Sequence, residues 1–97
     1  MVQYRIDILP PAADVLAHLP PAIKRDAKQA LRILSKDPRA GEPLERELRE
    51  LWKYRIRSFR IVYRIVAEQR LIQVIGVGPR GTIYDVIRTL IRHRQTS

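Results

Sequence analysis

Residues 52–65 read WKYRIRSFRIVYRI. Large apolar side chains fall at every second position: Trp52, Tyr54 and Ile56 before a break at Arg57-Ser58, then Phe59, Ile61, Tyr63 and Ile65 after it. Period two on both sides of a two-residue break is the pattern of a β-hairpin with one buried face. A two-residue loop also sets the register, so Ile56 opposes Phe59, Tyr54 opposes Ile61 and Trp52 opposes Tyr63. That face is expected to be core. The other face then carries Lys53 opposite Val62 and Arg55 opposite Arg60, with Arg64 further along. Like charges directly opposed destabilise a sheet by roughly 0.2–1 kcal/mol. No Asp or Glu occurs between residues 51 and 67 to offset them. A bound anion would relieve the repulsion, and guanidinium forks match phosphate. Arg57 occupies a turn position where Gly or Asn is usual, which leaves the turn type open.

Further along, a third strand is expected at about 70–78 and a helix at about 82–93. Thr82 can cap that helix, with Asp85 three residues on as a weak capping box. Ile83, Val86, Ile87, Leu90 and Ile91 form its apolar side. Between strand and helix lies Gly76-Val77-Gly78-Pro79-Arg80-Gly81, a match to G-x-G-x-x-G. A dinucleotide site would need a βαβ unit and an acidic residue roughly 20 positions later. Only 16 residues follow Gly81, with no strand among them. The stretch reads instead as a close-approach turn that presents Arg80 and a helix N-terminus, where anions are favoured. Tyr84, Arg88 and Arg92 follow at i, i+4 and i+8 on one stripe, an aromatic suited to stacking on a base beside basic groups.

Toward the N-terminus, Val2, Tyr4, Ile6 and Ile8 alternate with polar residues and predict a strand. Pro10-Pro11 ends it and opens a helix with Ala12, Val15, Leu16 and Leu19 on one side. Pro20-Pro21 opens a second helix with Ile23, Ala27, Ala30, Leu31 and Leu34 inside and Lys24, Arg25, Lys28 and Arg32 outside. Asp37-Pro38 stops it. The two helices are expected to form a hairpin packed on the sheet. Residues 38–50, PRAGEPLERELRE, read as a solvated connection in which Glu42, Glu45, Glu47 and Glu50 alternate with basic residues. The fold class is α+β: an N-terminal strand, a helical hairpin, a mainly antiparallel sheet of about four strands and a C-terminal helix.

The length of 97 residues fits one domain, 1–97. There are no cysteines, which excludes disulfides and thiolate metal sites. His18 and His93 are isolated, and no Ser-His-Asp, HExxH or Walker pattern occurs. No apolar run is long enough to span a bilayer, and no signal peptide is evident. A cytoplasmic protein is expected, with no cofactor and no membrane partner. The net charge is +9, and residues 51–97 hold 10 Lys and Arg against 2 Asp and Glu. Such asymmetry points to a polyanionic partner.

The run PLERELRELWKYRIRSFRIVYRI, followed by VIGVGPRGTIY, resembles the RelE/ParE superfamily of toxin–antitoxin toxins. Trp52-Lys53-Tyr54-Arg55-Ile56, Phe59-Arg60-Ile61-Val62-Tyr63, Val77-Gly78-Pro79-Arg80 and Tyr84 carry the resemblance, in the family's order and spacing. In the RelE branch it implies metal-independent cleavage of mRNA in the ribosomal A site by attack of the 2′-OH. Lys53 and Arg55 would then lie beside the scissile phosphate. Arg60 would stabilise transition-state charge, Arg80 would approach the leaving oxygen, and Tyr84 would orient or stack on the substrate. Arg57, Arg64, Arg88 and Arg92 would add RNA contacts. RelE-type enzymes tend to have a lysine base where this chain has Arg55, and arginine does not deprotonate. Lys53 is therefore expected to take the proton. The resemblance implies as partners an acidic or amphipathic antitoxin, mRNA on the ribosome and, through the antitoxin, operator DNA. A ParE-like gyrase inhibitor and a non-catalytic antitoxin-binding relative are the alternatives.

Overall fold

The computed structural model describes residues 3–96, with side chains as far as Arg92. Val2 and the side chain of His93 lie outside the described residues. The chain runs β1 (Arg5–Ile8), α1 (Pro10–Ala17), α2 (Pro21–Lys36), β2 (Glu42–Pro43), β3 (Trp52–Ile56), β4 (Phe59–Val66), β5 (Leu71–Pro79) and α3 (Ile83–Thr96). The prolines sit where expected: Pro10 and Pro21 occupy first helical positions, where a missing N–H costs nothing. No helix among the described residues is long and apolar enough to cross a membrane.

The strands form one five-stranded sheet in the order β1-β5-β4-β3-β2. The β3–β4 register is the one parity predicts, with Ile56 opposite Phe59, Arg55 opposite Arg60 and Trp52 opposite Tyr63. Two features go beyond the sequence expectation of about four mainly antiparallel strands. β1 pairs with β5 in parallel, Arg5 beside Leu71, which makes the sheet mixed. The segment read as a solvated connection contributes β2, whose Glu42 lies opposite Lys53.

The two sheet faces bury different helices. On one face α1 and α2 cover Ile56, Ile61, Tyr63, Ile72, Val74 and Val77 with Ala12, Ala27, Ala30 and Leu34. On the other, Ile83 and Ile87 of α3 pack with Val62, Ile75, Leu48 and Leu51. A bulge in the β4–β5 ladder reconciles the two. Val62 opposes Gly76 and Tyr63 opposes Val74, so Ile75 is the extra residue. Val74 and Val77 thereby both reach the α1/α2 face, while Ile75 turns to α3.

Gly76 and Gly78 belong to β5, within the strand expected over about 70–78, and the turn follows at residues 80–82. A Cβ on Gly76 would stand 2.7 Å from Ile87 Cδ1, and one on Gly78 would stand 3.1 Å from Ile83 Cδ1. The glycines let α3 lie close against the sheet. Val86, expected on the apolar side of α3, is 49% exposed, because only Ile83 and Ile87 point squarely at β5.

Candidate phosphate-binding and cleavage site

The cationic side chains of the hairpin share the α3 face of the sheet. Facing residues of an antiparallel pair project to the same side. Arg55, Arg60 and Gly78 form one row across β3, β4 and β5. The Gly78 position adds no side chain to the row, and Ile83 of α3 packs over it. Arg80 sits just past this row, and its backbone N–H donates to the Ser58 carbonyl at 2.9 Å. That bond ties the end of β5 to the hairpin turn and brings Arg80 beside Arg60. Arg60 Nη1 donates to the carbonyls of Arg57 (3.0 Å) and Phe59 (2.8 Å), which fixes the guanidinium against the turn. Among the described residues, no carboxylate forms an ion pair with Lys53, Arg55, Arg60 or Arg80.

The next row is different in character. It runs Glu42, Lys53, Val62, Gly76. Lys53 lines a cleft of about 430 Å³ with Glu42, Glu45, Arg46, Glu47, Tyr84 and Arg88. Three carboxylates and three cations leave it near neutrality. The acidic connection therefore folds back over one end of the basic face, a pairing the sequence reading did not foresee. Glu47 Oε1 accepts from Arg88 Nε at 2.8 Å, and Asp85 Oδ1 accepts from Arg88 Nη1 at 3.2 Å. The Glu47 carboxyl is held below the usual carboxylate range, first by a backbone hydrogen bond and then by Arg88. The glutamates do not gather into a metal cluster: among the described residues no group of three or more His, Asp or Glu is arranged to hold an ion.

The structure thus places Lys53, Arg55, Arg60 and Arg80 on or just past the inner strands β3, β4 and β5, with Tyr84, half-buried, walling the neutral cleft. It separates the other candidates. Arg57 turns to α2, where Asp26 Oδ2 accepts from its Nε at 2.6 Å. Arg57 also has φ of 56°, while Ser58 does not have positive φ, the sign pattern of a II′ turn. Arg88 is committed to Glu47 and Asp85. Arg64 is half-buried opposite Gln73, with its Nε shielded from solvent. Arg92 lies exposed one turn beyond Arg88 and borders a second concavity with Glu47, Leu48 and Ile91. His18 bonds within α1, to the Asp14 carbonyl at 2.8 Å. Glu42, read from the sequence as part of a solvated connection, is the residue the fold sets opposite Lys53. Its one signal was a glutamate directly after Gly41, a position where a Cβ would collide with the Lys53 carbonyl and the Tyr63 hydroxyl.

A profile of the ParE toxin of the type II toxin–antitoxin system parDE matches residues 6–84. No curated protein matches the chain by sequence. Among solved structures, the fold is similar to that in the RelBE2 toxin–antitoxin complex of Mycobacterium tuberculosis. That pair is 33% identical with a TM-score of 0.74, over 82% of this chain and 94% of that one. The intact RelBE complex of E. coli gives 26% identity and a TM-score of 0.70, over 78% and 95% of the two chains. The RelE–RelB complex of the archaeon Pyrococcus horikoshii shares the fold at 24% identity and a TM-score of 0.68, over 84% and 98%.

Proposed function

This chain belongs to the RelE/ParE family and is the toxin of a type II toxin–antitoxin system, and from that premise we propose that it is an mRNA endoribonuclease acting on the ribosome. The observation that carries the reading is the row Arg55–Arg60 with Arg80 at its end, cations brought together without a carboxylate partner. A sheet gains nothing from that arrangement, whereas a phosphodiester fits it. Its cognate antitoxin is the partner that keeps it silent, and the cytoplasm is where it meets translating ribosomes.

The reaction uses the RNA's own 2′-OH. O2′ bonds to the adjacent phosphorus and gives up its proton, the P–O5′ bond breaks, O5′ takes a proton from water, and the products are a 2′,3′-cyclic phosphate and a 5′-OH. Arg55 and Arg60 neutralise the oxygens that gain charge at phosphorus, and Arg80 attends the departing O5′. Tyr84 stacks on a base beside the scissile bond. The 2′-OH proton has two candidate acceptors on one row, Lys53 and Glu42. Glu42 is an acceptor as it stands, whereas a lysine must first lose a proton. We therefore assign proton acceptance to Glu42 and phosphate contact to Lys53.

The test is induction in cells with mapping of RNA ends. Cuts inside translated codons that carry 2′,3′-cyclic phosphate, and that vanish in Arg60→Ala, are the expected result. The matching profile is named for ParE, which favours a second reading, inhibition of DNA gyrase. DNA damage without such cuts would establish that reading instead, and a chain without effect on growth would be a non-catalytic antitoxin-binding relative.

A further inference from the structure

Among the described residues, three that are not glycine hold left-handed backbone: Arg46 (φ 57°), Arg57 (φ 56°) and Arg70 (φ 49°). A Cβ disfavours that conformation, and glycine meets it without strain. Arg57 has Asp26 as a partner, and Arg70 joins β4 to β5 at the end of the sheet away from the hairpin turn. Arg46 lines the cleft that holds Lys53 and Tyr84.

The fold calls for the reversal at residue 46 but not for an arginine there. Glu45 is extended, and a single turn of 3-10 helix, Arg46–Leu48, follows it. The turn carries Leu48 into the core beneath α3, against Leu51, Val62, Ile83 and Ile87. That burial sets the path of the backbone. The Arg46 side chain takes no part in it. It is exposed, and no carboxylate lies within ion-pair distance of it among the described residues. The Glu47 carboxyl is held down first by a backbone hydrogen bond, then by Arg88, and by Arg46 only last. A strained backbone that carries a side chain without a partner inside the chain points to a partner outside it.

The order of groups along the site says which partner. In the cleft Arg88 is bound to Glu47, and Lys53 stands opposite Glu42, so Arg46 is the cation still open to an anion. Lys53 and Arg55 are two residues apart on β3, about 7 Å, a single nucleotide step along an extended strand. Arg80 attends the departing O5′, and Glu42 accepts the 2′-OH proton. The cleft therefore holds the nucleotide on the 5′ side of the cut, with its base against Tyr84. The next anion along the strand is the 5′ phosphate of that nucleotide. We infer that Arg46 grips this phosphate, as a substrate-binding residue that seats the nucleotide supplying the 2′-OH. The inference rests on the ribonuclease reading. Glu45, exposed and next in the chain, opposes the same phosphate and keeps the grip weak enough for the cut strand to leave.

The test is binding of the full chain to a short single-stranded RNA, 2′-O-methylated throughout so that it resists cleavage, read by fluorescence anisotropy over a salt series. Arg46→Gly relieves the left-handed backbone and is expected to melt at or above the parent, so that lost binding is not lost folding. It is expected to weaken the RNA about tenfold at low salt and to lower the slope of log affinity against log salt by about 0.7, the share of one phosphate in a single strand. Arg46→Lys keeps the charge and is expected to restore most of both. The same RNA with methylphosphonate at every linkage is expected to bind parent and Arg46→Gly alike. On the ribosome, Arg46→Gly is expected to raise KM for mRNA cleavage and leave kcat unchanged. An unchanged salt slope, a loss that persists with methylphosphonate, Arg46→Lys as weak as Arg46→Gly, or a parent that binds no single strand would overturn the inference. A parent that binds through Arg46 but cuts no mRNA would overturn the reaction and keep the phosphate contact.

Discussion

The hydroxyl of Tyr63 donates to the carbonyl of Pro38 at 2.7 Å, from the middle of the core to the loop that leads into β2. Tyr63 is fully buried, and its ring stacks on Trp52 with centroids 6.4 Å apart. The bond therefore fastens the segment that carries Glu42 to the strand pair that carries Lys53. Burial, as the largest cause, pushes the phenol from 10.0 up to about 12. The folded chain thus favours the neutral phenol. Its contribution is complete below pH 10.0 and is lost as pH rises toward about 12. Urea unfolding across that window is expected to lose on the order of 2 kcal/mol. Tyr63→Phe is expected to lower stability by about 1–2 kcal/mol at neutral pH and to flatten the alkaline decline.

Gly41 stands at the other end of the same contact. A methyl there would run into the Lys53 carbonyl and lie 2.6 Å from the Tyr63 hydroxyl. The Lys53 carbonyl is backbone and cannot give way. Gly41→Ala is expected to cost about 1–3 kcal/mol by forcing the backbone apart, and to lower RNA cleavage further than the stability loss explains. Activity per folded molecule, measured well below the melting temperature, checks this.

Arg57 holds a left-handed backbone, φ 56°, that costs an arginine roughly 1–2 kcal/mol. Its exposed pair with Asp26 returns at most about 1 kcal/mol. Arg57→Gly is expected to raise stability by up to about 1 kcal/mol, and Asp26→Asn to lower it by less than that. Chemical unfolding of the two variants and their combination gives the coupling directly.

Glu42 and Lys53 are told apart by where each variant acts. Glu42→Gln is expected to lower the single-turnover cleavage rate by about 10²–10⁴ with substrate binding unchanged. Lys53→Ala is expected to weaken substrate binding and to spare the rate at saturation. Single-turnover cleavage of ribosome-bound mRNA over a series of enzyme concentrations decides between them; a rate loss of that size at saturation in Lys53→Ala alone would give the role to lysine.

Ionisation of Glu47 has a mechanical reading as well. Its carboxyl lies below its ordinary 4.5, held down by a backbone hydrogen bond and by Arg88. The contribution of the pair is present above about pH 4.5 and falls as pH drops below it. Glu47→Gln is expected to leave stability at neutral pH nearly unchanged and to leave Arg88 paired with Asp85 alone, which makes RNA affinity more salt-dependent.

The hairpin was legible because two local facts fix it, side-chain parity and a two-residue loop, and these dictate that Arg55 faces Arg60. The α1 and α2 stripes were legible for the same reason, since helical spacing puts Ala27, Ala30 and Leu34 on one side. β2 was not legible. It is two residues long, contains Pro43 and has no apolar period, so only its pairing with β3 makes it a strand. Glu42 beside Lys53, and Glu47 against Arg88, are contacts between distant parts of the chain, which no local pattern encodes. The glycines of β5 announced a close approach but not its occupant, because G-x-G spacing reads the same whether the space is meant for a phosphate or for Ile83 and Ile87.

The parallel pairing of β1 with β5 orders events during synthesis. β1 is made before the other four strands, yet among the described residues it pairs only with β5, the last of the five to emerge. Until then its hydrogen-bonding edge and the apolar sides of α1 and α2 have nothing complete to close against. Arg80, at the end of β5, completes the cationic row at the same late moment. The pairing of β1 and the end of the cationic row therefore depend on one and the same strand.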